Sequence, residues 1–248
     1  PHREYGRSTR DALSPRVAAL LPVLSLFTFL PSSCAEPPHD SEDVARAAII
    51  DQLSQAHPSG QFALEVGRQL EWTGFDVLTF AGDDVTTDLY RSLPSYDFDL
   101  IIFRVHSMCL RDGQPVTDET FMFTNEPYLE SEHVYYQMAD KVLPARLDES
   151  TEPYYAVSSS FIADHSRGRY DDTVVLMMGC FSLYAVDMAE AFVGRGVSVC
   201  AGWDERVKLD FVDGFTTALV QDMCSPDLTI KEALYKTASE KGADPTYG

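Results

Sequence analysis

The segments DLIIFRVHS at residues 99–107 and TVVLMMGC at residues 173–180 have the same design. Each opens on a polar residue, continues as an apolar run and ends in a chemically reactive side chain. Apolar runs of this length are typical of buried strands in a parallel sheet. Reactive groups in such sheets lie just past the carboxyl ends of the strands, so we expect the imidazole of His106 and the thiol of Cys180 at one sheet edge. Neighbouring strands are about 4.8 Å apart, so adjacency would bring the two side chains together.

The rest of the chain predicts how these two strands are embedded. Alternating elements are expected in this order: strand 45–53, helix 62–73, strand 76–80, helix 84–93, strand 99–105, strand 174–178, helix 185–195, strand 197–201, helix 211–223 and a last helix capped by Thr229. Strands that alternate with helices imply parallel pairing with right-handed crossovers. The predicted fold class is α/β, a three-layer αβα sandwich around a mainly parallel sheet.

The alternation weakens between Cys109 and Asp171. This insertion suggests a hairpin or extended loop at 114–128, a short helix at 134–142 and a bent strand at 154–163. Because it precedes the Cys180 strand, we expect it to supply substrate-binding loops.

Composition limits the function classes. The chain has 248 residues, 45% of them hydrophobic, which is enough for one sizeable core. Its formal net charge is −20, from 39 acidic and 19 basic residues. That balance argues against a nucleic-acid-binding surface, which needs a basic face. Acidity serves solubility in its plainest interpretation, and it would also favour cationic partners.

The first 35 residues differ from the rest. Four arginines precede an uncharged, Leu-rich run at 17–30, and PSSCA follows at 31–35. This order predicts a secretory signal over residues 1–35, a linker over 36–44 and a domain over 45–248. Cleavage after Ala35 would give a soluble exported protein and lipidation of Cys34 a membrane-anchored one, and a buried N-terminal helix is the alternative. Because the chain opens on Pro1 and stops at Gly248, we expect a fragment with a truncated C-terminus.

Five cysteines occur, at positions 34, 109, 180, 200 and 224, and no two have the CxxC spacing of a zinc or redox site. His133 and His165 lie in the insertion near carboxylates without metal-ligand spacing. We therefore predict neither a metal nor another cofactor.

The chemistry predicted for the sheet edge is nucleophilic catalysis by a thiol. Only the thiolate attacks carbonyl groups well, and a neighbouring imidazole favours that form and later protonates the leaving amine. The backbone N–H groups of Ser107 and Cys180 are the candidate donors to the developing oxyanion. Gly179 is expected to let the backbone turn sharply after the strand. Taken singly, His106 and Cys180 would each be read as ordinary buried residues.

His106-Ser107 after one apolar block and Gly179-Cys180 after another resemble the caspase-like cysteine peptidases, the clan that includes gingipains, legumain and separase. The order of elements is similar over roughly residues 45–224. The resemblance implies a parallel αβα sandwich, His106 as general base and acid, and Cys180 as nucleophile. The family usually has Gly after the His, where this chain has Ser107.

Gly202-Trp203-Asp204 follows the next strand at the same predicted edge. In the resembling family this region walls the pocket for the residue before the cleaved bond. Trp203 would form the side of that pocket and Asp204 would receive Arg or Lys. The alternative is that Trp203 packs on the sheet edge and Asp204 caps the next segment.

The leading hypothesis is an exported cysteine endopeptidase whose partner is a peptide or protein substrate, with membrane contact only through Cys34. A catalytically silent caspase-fold module that binds a protein or ligand at the same edge is the second hypothesis. An amidotransferase or hydrolase with a cysteine elbow ranks third, because Phe181-Ser182 follow Cys180 where the pattern G-x-C-x-G requires a second glycine.

Overall fold

A computed structural model describes residues 44–111, 114–115, 119–146 and 152–247. The predictions for the signal segment and Cys34 lie outside these residues. The strands, in chain order, are β1 (Arg46–Asp51), β2 (Asp76–Ala81), β3 (Leu100–Arg104), β4 (Ser107–Met108), β5 (Leu110–Arg111), β6 (Gln114–Pro115), β7 (Phe121–Pro127), β8 (Val142–Ala145), β9 (Tyr154–Ser158), β10 (Val174–Met177) and β11 (Val199–Ala201). The α-helices are α1 (Gly60–Trp72), α2 (Thr87–Ser92), α3 (Val134–Met138), α4 (Ser159–His165), α5 (Asp187–Gly194), α6 (Leu209–Met223) and α7 (Ile230–Lys241).

The main sheet has five parallel strands in the order β11-β10-β3-β1-β2. The two strands with the shared design, β3 and β10, are therefore neighbours. Their register pairs Leu100 with Val174 and Phe103 with Met177. The predicted α/β class with a mainly parallel sheet flanked by helices is confirmed.

Side-chain alternation divides the sheet into two apolar faces. On one face, Ile102 and Leu176 share a core with residues of α1, α6 and α7. On the other, Phe103 and Val175 share a core with residues of α2, α4 and α5. Both faces of a parallel sheet must be covered because its strands are apolar on both sides. Helices contribute to the cores on both faces, an arrangement compatible with three layers.

The insertion between β3 and β10 is more regular than its sequence indicates. It forms a four-stranded antiparallel sheet in the order β4-β7-β9-β8. The strand predicted at 154–163 stops at Ser158, because the hydroxyl of Ser158 accepts a hydrogen bond from the Phe161 amide at 3.0 Å and starts α4. The predicted hairpin at 114–128 is wrong, since β6 pairs with β5 and β7 pairs with β4 and β9.

Two predicted helices are shorter than their apolar spacing suggests. The helix predicted at 134–142 ends at Met138, and Asp140 beyond it has a φ of 55°. The helix predicted at 84–93 begins after Thr86, whose hydroxyl accepts the Leu89 amide at 3.1 Å. No helix in the described part of the chain is long and apolar enough to cross a membrane.

A buried guanidinium lies at the end of β3. Arg104 is 0% exposed, and its Nη1 lies 2.8 Å from Oδ1 of Asp51 at the end of β1. Its Nε and Nη2 donate to the two carboxylate oxygens of Asp213 on α6 at 2.8 and 3.0 Å. Nη2 also donates to the backbone carbonyl of His57 at 3.1 Å. One side chain thus joins β1, β3, α6 and the loop after β1.

Arg104→Met is expected to lower the free energy of unfolding by about 3 kcal/mol or more, because Asp51 would keep its burial and lose its counter-charge. Urea denaturation measures the change. Lys141→Met is the matched control, since the Asp164 partner of Lys141 is largely exposed and such a pair contributes at most about 1 kcal/mol. A loss at Arg104 no larger than at Lys141 would contradict a central role for this ion cluster.

Candidate active site

His106 lies two residues beyond β3, and its backbone is held from two sides. Its amide donates to Oε1 of Gln52 at 3.0 Å, and its carbonyl accepts from the Phe123 amide at 2.9 Å. Gln52 is itself buried and bonds to Asn125 of β7. The position of His106 therefore depends on the turn after β1 and on the antiparallel sheet.

The imidazole of His106 contacts two rings. The His57 ring is edge-on at a centroid distance of 6.0 Å, and the Phe123 ring is edge-on at 5.8 Å. Burial, the nearby His57 and the Arg104 cation lower the pKa of His106 to about 4. The ring is therefore neutral at neutral pH and available as a proton acceptor.

Cys180 lies three residues beyond β10 and is half-buried. Its Sγ donates to the Val207 carbonyl at 3.4 Å and accepts from the Val207 amide at 3.5 Å. Continuing the register of β3 and β10 past Phe103 and Met177 sets Cys180 level with His106.

The chain segments beyond β3 and β10 are in direct contact. The hydroxyl of Ser107 donates to the carbonyl of Cys180 at 2.7 Å. A Cβ added to Gly179 would lie 2.0 Å from Oγ of Ser107 and 2.7 Å from the Val105 carbonyl oxygen. The two predicted reactive segments thus meet at a common edge, with His106 and Cys180 each next to a residue of this junction.

The chain bends at Gly179 after β10, as predicted. Its φ is not in the left-handed region, and glycine is required there for the close approach of the neighbouring segment. A second turn follows at Phe181, which has a φ of 57°. A bulky residue in this conformation costs free energy and persists only where the surroundings impose it.

The predicted oxyanion donors have different surroundings. Ser107 faces Met122 of β7 in a pair flanked by the hydrogen bond from the Phe123 amide to the His106 carbonyl. Such a pair is of the non-hydrogen-bonded kind, so the Ser107 N–H points away from β7. The Cys180 N–H is in the segment that packs on Ser107.

Trp203 and Asp204 lie in the segment after β11, which runs beside the residues that follow Cys180. The Trp203 amide donates to Oγ of Ser182 at 3.0 Å, and the Trp203 carbonyl accepts from the Leu183 amide at 2.9 Å. The indole packs edge-on against Phe215 of α6 at 5.0 Å. Asp204 is half-buried and makes no hydrogen bond or ion pair within the described ranges.

Two residues near this edge were not expected from the sequence. His57 contacts His106, the candidate general base. The sequence feature that could have indicated this is the position of His57 in the loop after β1, because a parallel strand ends at the same sheet edge as its neighbours. Ser182, fully buried, joins the segment after Cys180 to Trp203, and nothing in its local sequence indicated this.

The other cysteines are less accessible or lie elsewhere. Cys109 is buried and its Sγ donates to the Phe181 carbonyl at 3.6 Å, while burial raises its pKa. Burial raises the pKa of Cys200 to about 12. Cys224 is half-buried beside Thr73. Among residues 44–247 that are described, no group of three or more His, Cys, Asp or Glu side chains is arranged to hold a metal ion.

Comparison with known proteins gives little information. No family model matches this chain, and no curated protein matches it. A solved structure of a flavodoxin from Streptococcus pneumonia TIGR4 is similar, with 14% sequence identity, a TM-score of 0.34, and coverage of 77% of this chain and 99% of that chain. A TM-score of 0.34 supports no inference from that protein to this one.

Gly179→Ala is expected to destabilise the protein by about 1–3 kcal/mol, because the added methyl group displaces Ser107 and the Val105 carbonyl. Gly67→Ala in α1 is the matched control. A Cβ there has no neighbour within 4 Å, so alanine should stabilise the helix by up to about 1 kcal/mol. Thermal unfolding of both variants checks the prediction, and equal effects would contradict the close approach.

The His106 imidazole is expected to make the protein less stable in acid. Its pKa falls from 6.5 to about 4 on folding, so between these values the unfolded chain binds more protons and stability is lost as pH drops. From pH 7 to pH 5 the wild type should lose on the order of 1–2 kcal/mol more than His106→Gln. Urea unfolding at the two pH values measures this difference, and parallel losses would refute it.

Proposed function

We propose that this protein is a cysteine endopeptidase that uses a dyad of His106 and Cys180. The observation that carries the proposal is the junction past β3 and β10, where the Ser107 hydroxyl bonds to the Cys180 carbonyl. A histidine and a cysteine suffice for thiolate catalysis, and His106 and Cys180 both lie at this contact between the segments that follow two adjacent parallel strands. The domain would be caspase-like, with its histidine after the third parallel strand and its cysteine after the fourth.

The reaction would proceed through a thioester. His106 takes the thiol proton while Sγ of Cys180 bonds to the substrate carbonyl carbon and the π electron pair moves to oxygen. The N–H groups of Ser107 and Cys180 donate to that oxyanion. When the carbonyl re-forms, the C–N bond breaks and His106 gives its proton to the leaving amine. Water, deprotonated by His106, then cleaves the thioester to the acid and regenerates the thiol.

The charge state of His106 defines how the dyad would work. Because burial, the nearby His57 and the Arg104 cation disfavour the imidazolium, the resting histidine is neutral, so it can take the thiol proton but is a weaker base than a free imidazole. The thiol must rotate away from the Val207 carbonyl before it can transfer its proton. Catalytic hydrogen bonds are often long in free enzymes and shorten when substrate binds.

The substrate preference proposed for the site is a basic residue before the cleaved bond. Asp204 offers a half-buried carboxylate without a partner among the described residues, next to the segment that follows Cys180. The indole of Trp203 packs on Phe211 and Phe215, so it would limit the pocket without closing over it. The predicted secretory signal would deliver this activity outside the cytoplasm.

A catalytically silent binding module is the second candidate function. The observation that favours it is the engagement of the Cys180 thiol with both backbone groups of Val207, in place of a bond to His106. In that case the same edge would hold a partner without cleaving it.

Peptide hydrolysis by wild type and by Cys180→Ala tests the proposal. A fluorogenic panel varied at the residue before the scissile bond should show cleavage after Arg or Lys that Cys180→Ala abolishes. Cys224→Ala is the matched control, because Cys224 is also a half-buried thiol and lies outside the site, and it should retain full activity. Iodoacetamide should inactivate the wild type by modifying Cys180 in preference to the buried Cys109 and Cys200.

Two outcomes would reject parts of this proposal. Unchanged hydrolysis in Cys180→Ala excludes the cysteine as nucleophile, and no cleavage of any peptide favours the silent module.

Asp204→Asn should lower kcat/KM for Arg and Lys substrates by about tenfold or more while sparing neutral ones. Equal loss for all substrates would remove Asp204 from the pocket.

A further inference from the structure

The general-base candidate is oriented by ring contacts. Within the described part of the chain, neither ring nitrogen of His106 has a hydrogen-bond partner, although its backbone has two. The carboxylates that surround the neighbouring Arg104, Asp51 and Asp213, are both engaged by that guanidinium. Among the described aromatic and histidine rings, His106 contacts Phe123 at 5.8 Å and His57 at 6.0 Å, each edge-on. A catalytic base normally needs a third group that fixes its orientation.

The backbone of His57 is held firmly although its side chain is exposed. Its amide donates to the Leu53 carbonyl at 2.7 Å, which closes the turn after β1. Its carbonyl accepts from Nη2 of the buried Arg104 at 3.1 Å. The exposed ring therefore projects from an anchored backbone and contacts His106. It belongs to the sheet edge that carries His106 and Cys180, here called the reactive edge.

We infer that His57 is a positioning residue for His106. Its ring and that of Phe123, both edge-on, restrict the plane of the His106 imidazole, and the nearby imidazole of His57 disfavours protonation of His106. The catalytic consequence of this inference rests on the proposed function, whereas the contact between the His57 and His106 rings does not depend on it. A misplacement of about 1 Å in a reacting group can lower the rate by as much as 10²-fold, so a residue that holds the His106 ring in its orientation would contribute to the rate.

The charged groups around His106 come from several elements. Arg104 approaches along β3 and opposes protonation, and His57 opposes it from the loop after β1. Asp51 of β1 and Asp213 of α6 lie behind the guanidinium and are paired with it. From β7, the uncharged Phe123 contacts the ring, and the uncharged Asn125 bonds to Gln52, which accepts the His106 amide. Since Arg104 is buried and paired, His57 is the group whose removal can change the titration of His106 without unfolding the site.

The test compares His57→Ala, which removes the ring, with His57→Phe, which keeps a ring and removes the titratable imidazole. Two readouts are measured on the full chain: the NMR titration of the His106 ring protons and the pH profile of kcat/KM for the best peptide of the panel. Both variants should raise the pKa of His106 and move the acid limb of activity to higher pH. His57→Ala should lower kcat by roughly 10–100-fold with little change in KM, and His57→Phe should lose less.

His165→Phe is the control, because that ring contacts only Tyr135, Tyr136 and Phe161 among the described aromatic residues, and it should change neither readout. Cleavage with an unchanged His106 titration and unchanged kcat in both His57 variants would overturn the inference. If wild type cleaves no peptide, the proposed function fails and the titration alone decides. A shifted titration then still supports the ring contact, and an unshifted one overturns it.

Discussion

The buried guanidinium of Arg104 is the constraint on which the reactive edge depends. It joins the ends of β1 and β3 to α6 and to the loop that carries His57. Burying these charges is costly, and burial raises the pKa of Asp51 even though Arg104 is its hydrogen-bond partner. Apolar residues in place of the whole ion cluster would fill the same positions at lower electrostatic cost. The ion cluster instead makes the packing geometrically specific, because a guanidinium bonded to three partners sets the relative placement of four segments.

A second constraint acts beside it, at the contact between the segments that follow β3 and β10. Gly179 lets the Val105 carbonyl and the Ser107 side chain approach more closely than any Cβ would permit. Phe181 then adopts a φ of 57°, and its amide is held by the Glu205 carbonyl at 3.0 Å. Strain of this kind persists only where packing imposes it, and it is found most often at functional sites. The position of Cys180 between the close approach and the strained residue thus supports a role that needs exact placement.

The main sheet could be predicted from sequence because its signals are local. The apolar runs at 99–105 and 174–178 are long, and their neighbours along the chain alternate regularly, so the fold class and the parallel direction of the strands follow from general rules. The four-stranded antiparallel sheet of the insertion could not be predicted, since its pairing depends on contacts between β4, β7, β8 and β9 that no short spacing records. The same limit applies to the site. His106 and Cys180 end conspicuous runs, whereas His57 and Ser182 matter through contacts with residues far along the chain.

The electrostatics of the edge favour one form of thiol catalysis over another. A stable thiolate–imidazolium pair requires a histidine that holds its proton at neutral pH, and the surroundings of His106 oppose that state. Burial is the largest cause, and the groups that add to it build the edge: His57, whose carbonyl Arg104 binds, and Arg104, which joins its segments. Placement and protonation state therefore have one origin, since the surroundings that hold His106 in position also keep it unprotonated. In the proposed mechanism such a histidine would take the thiol proton only as the carbon–sulfur bond forms, so the thiol would become reactive when a substrate carbonyl is in place.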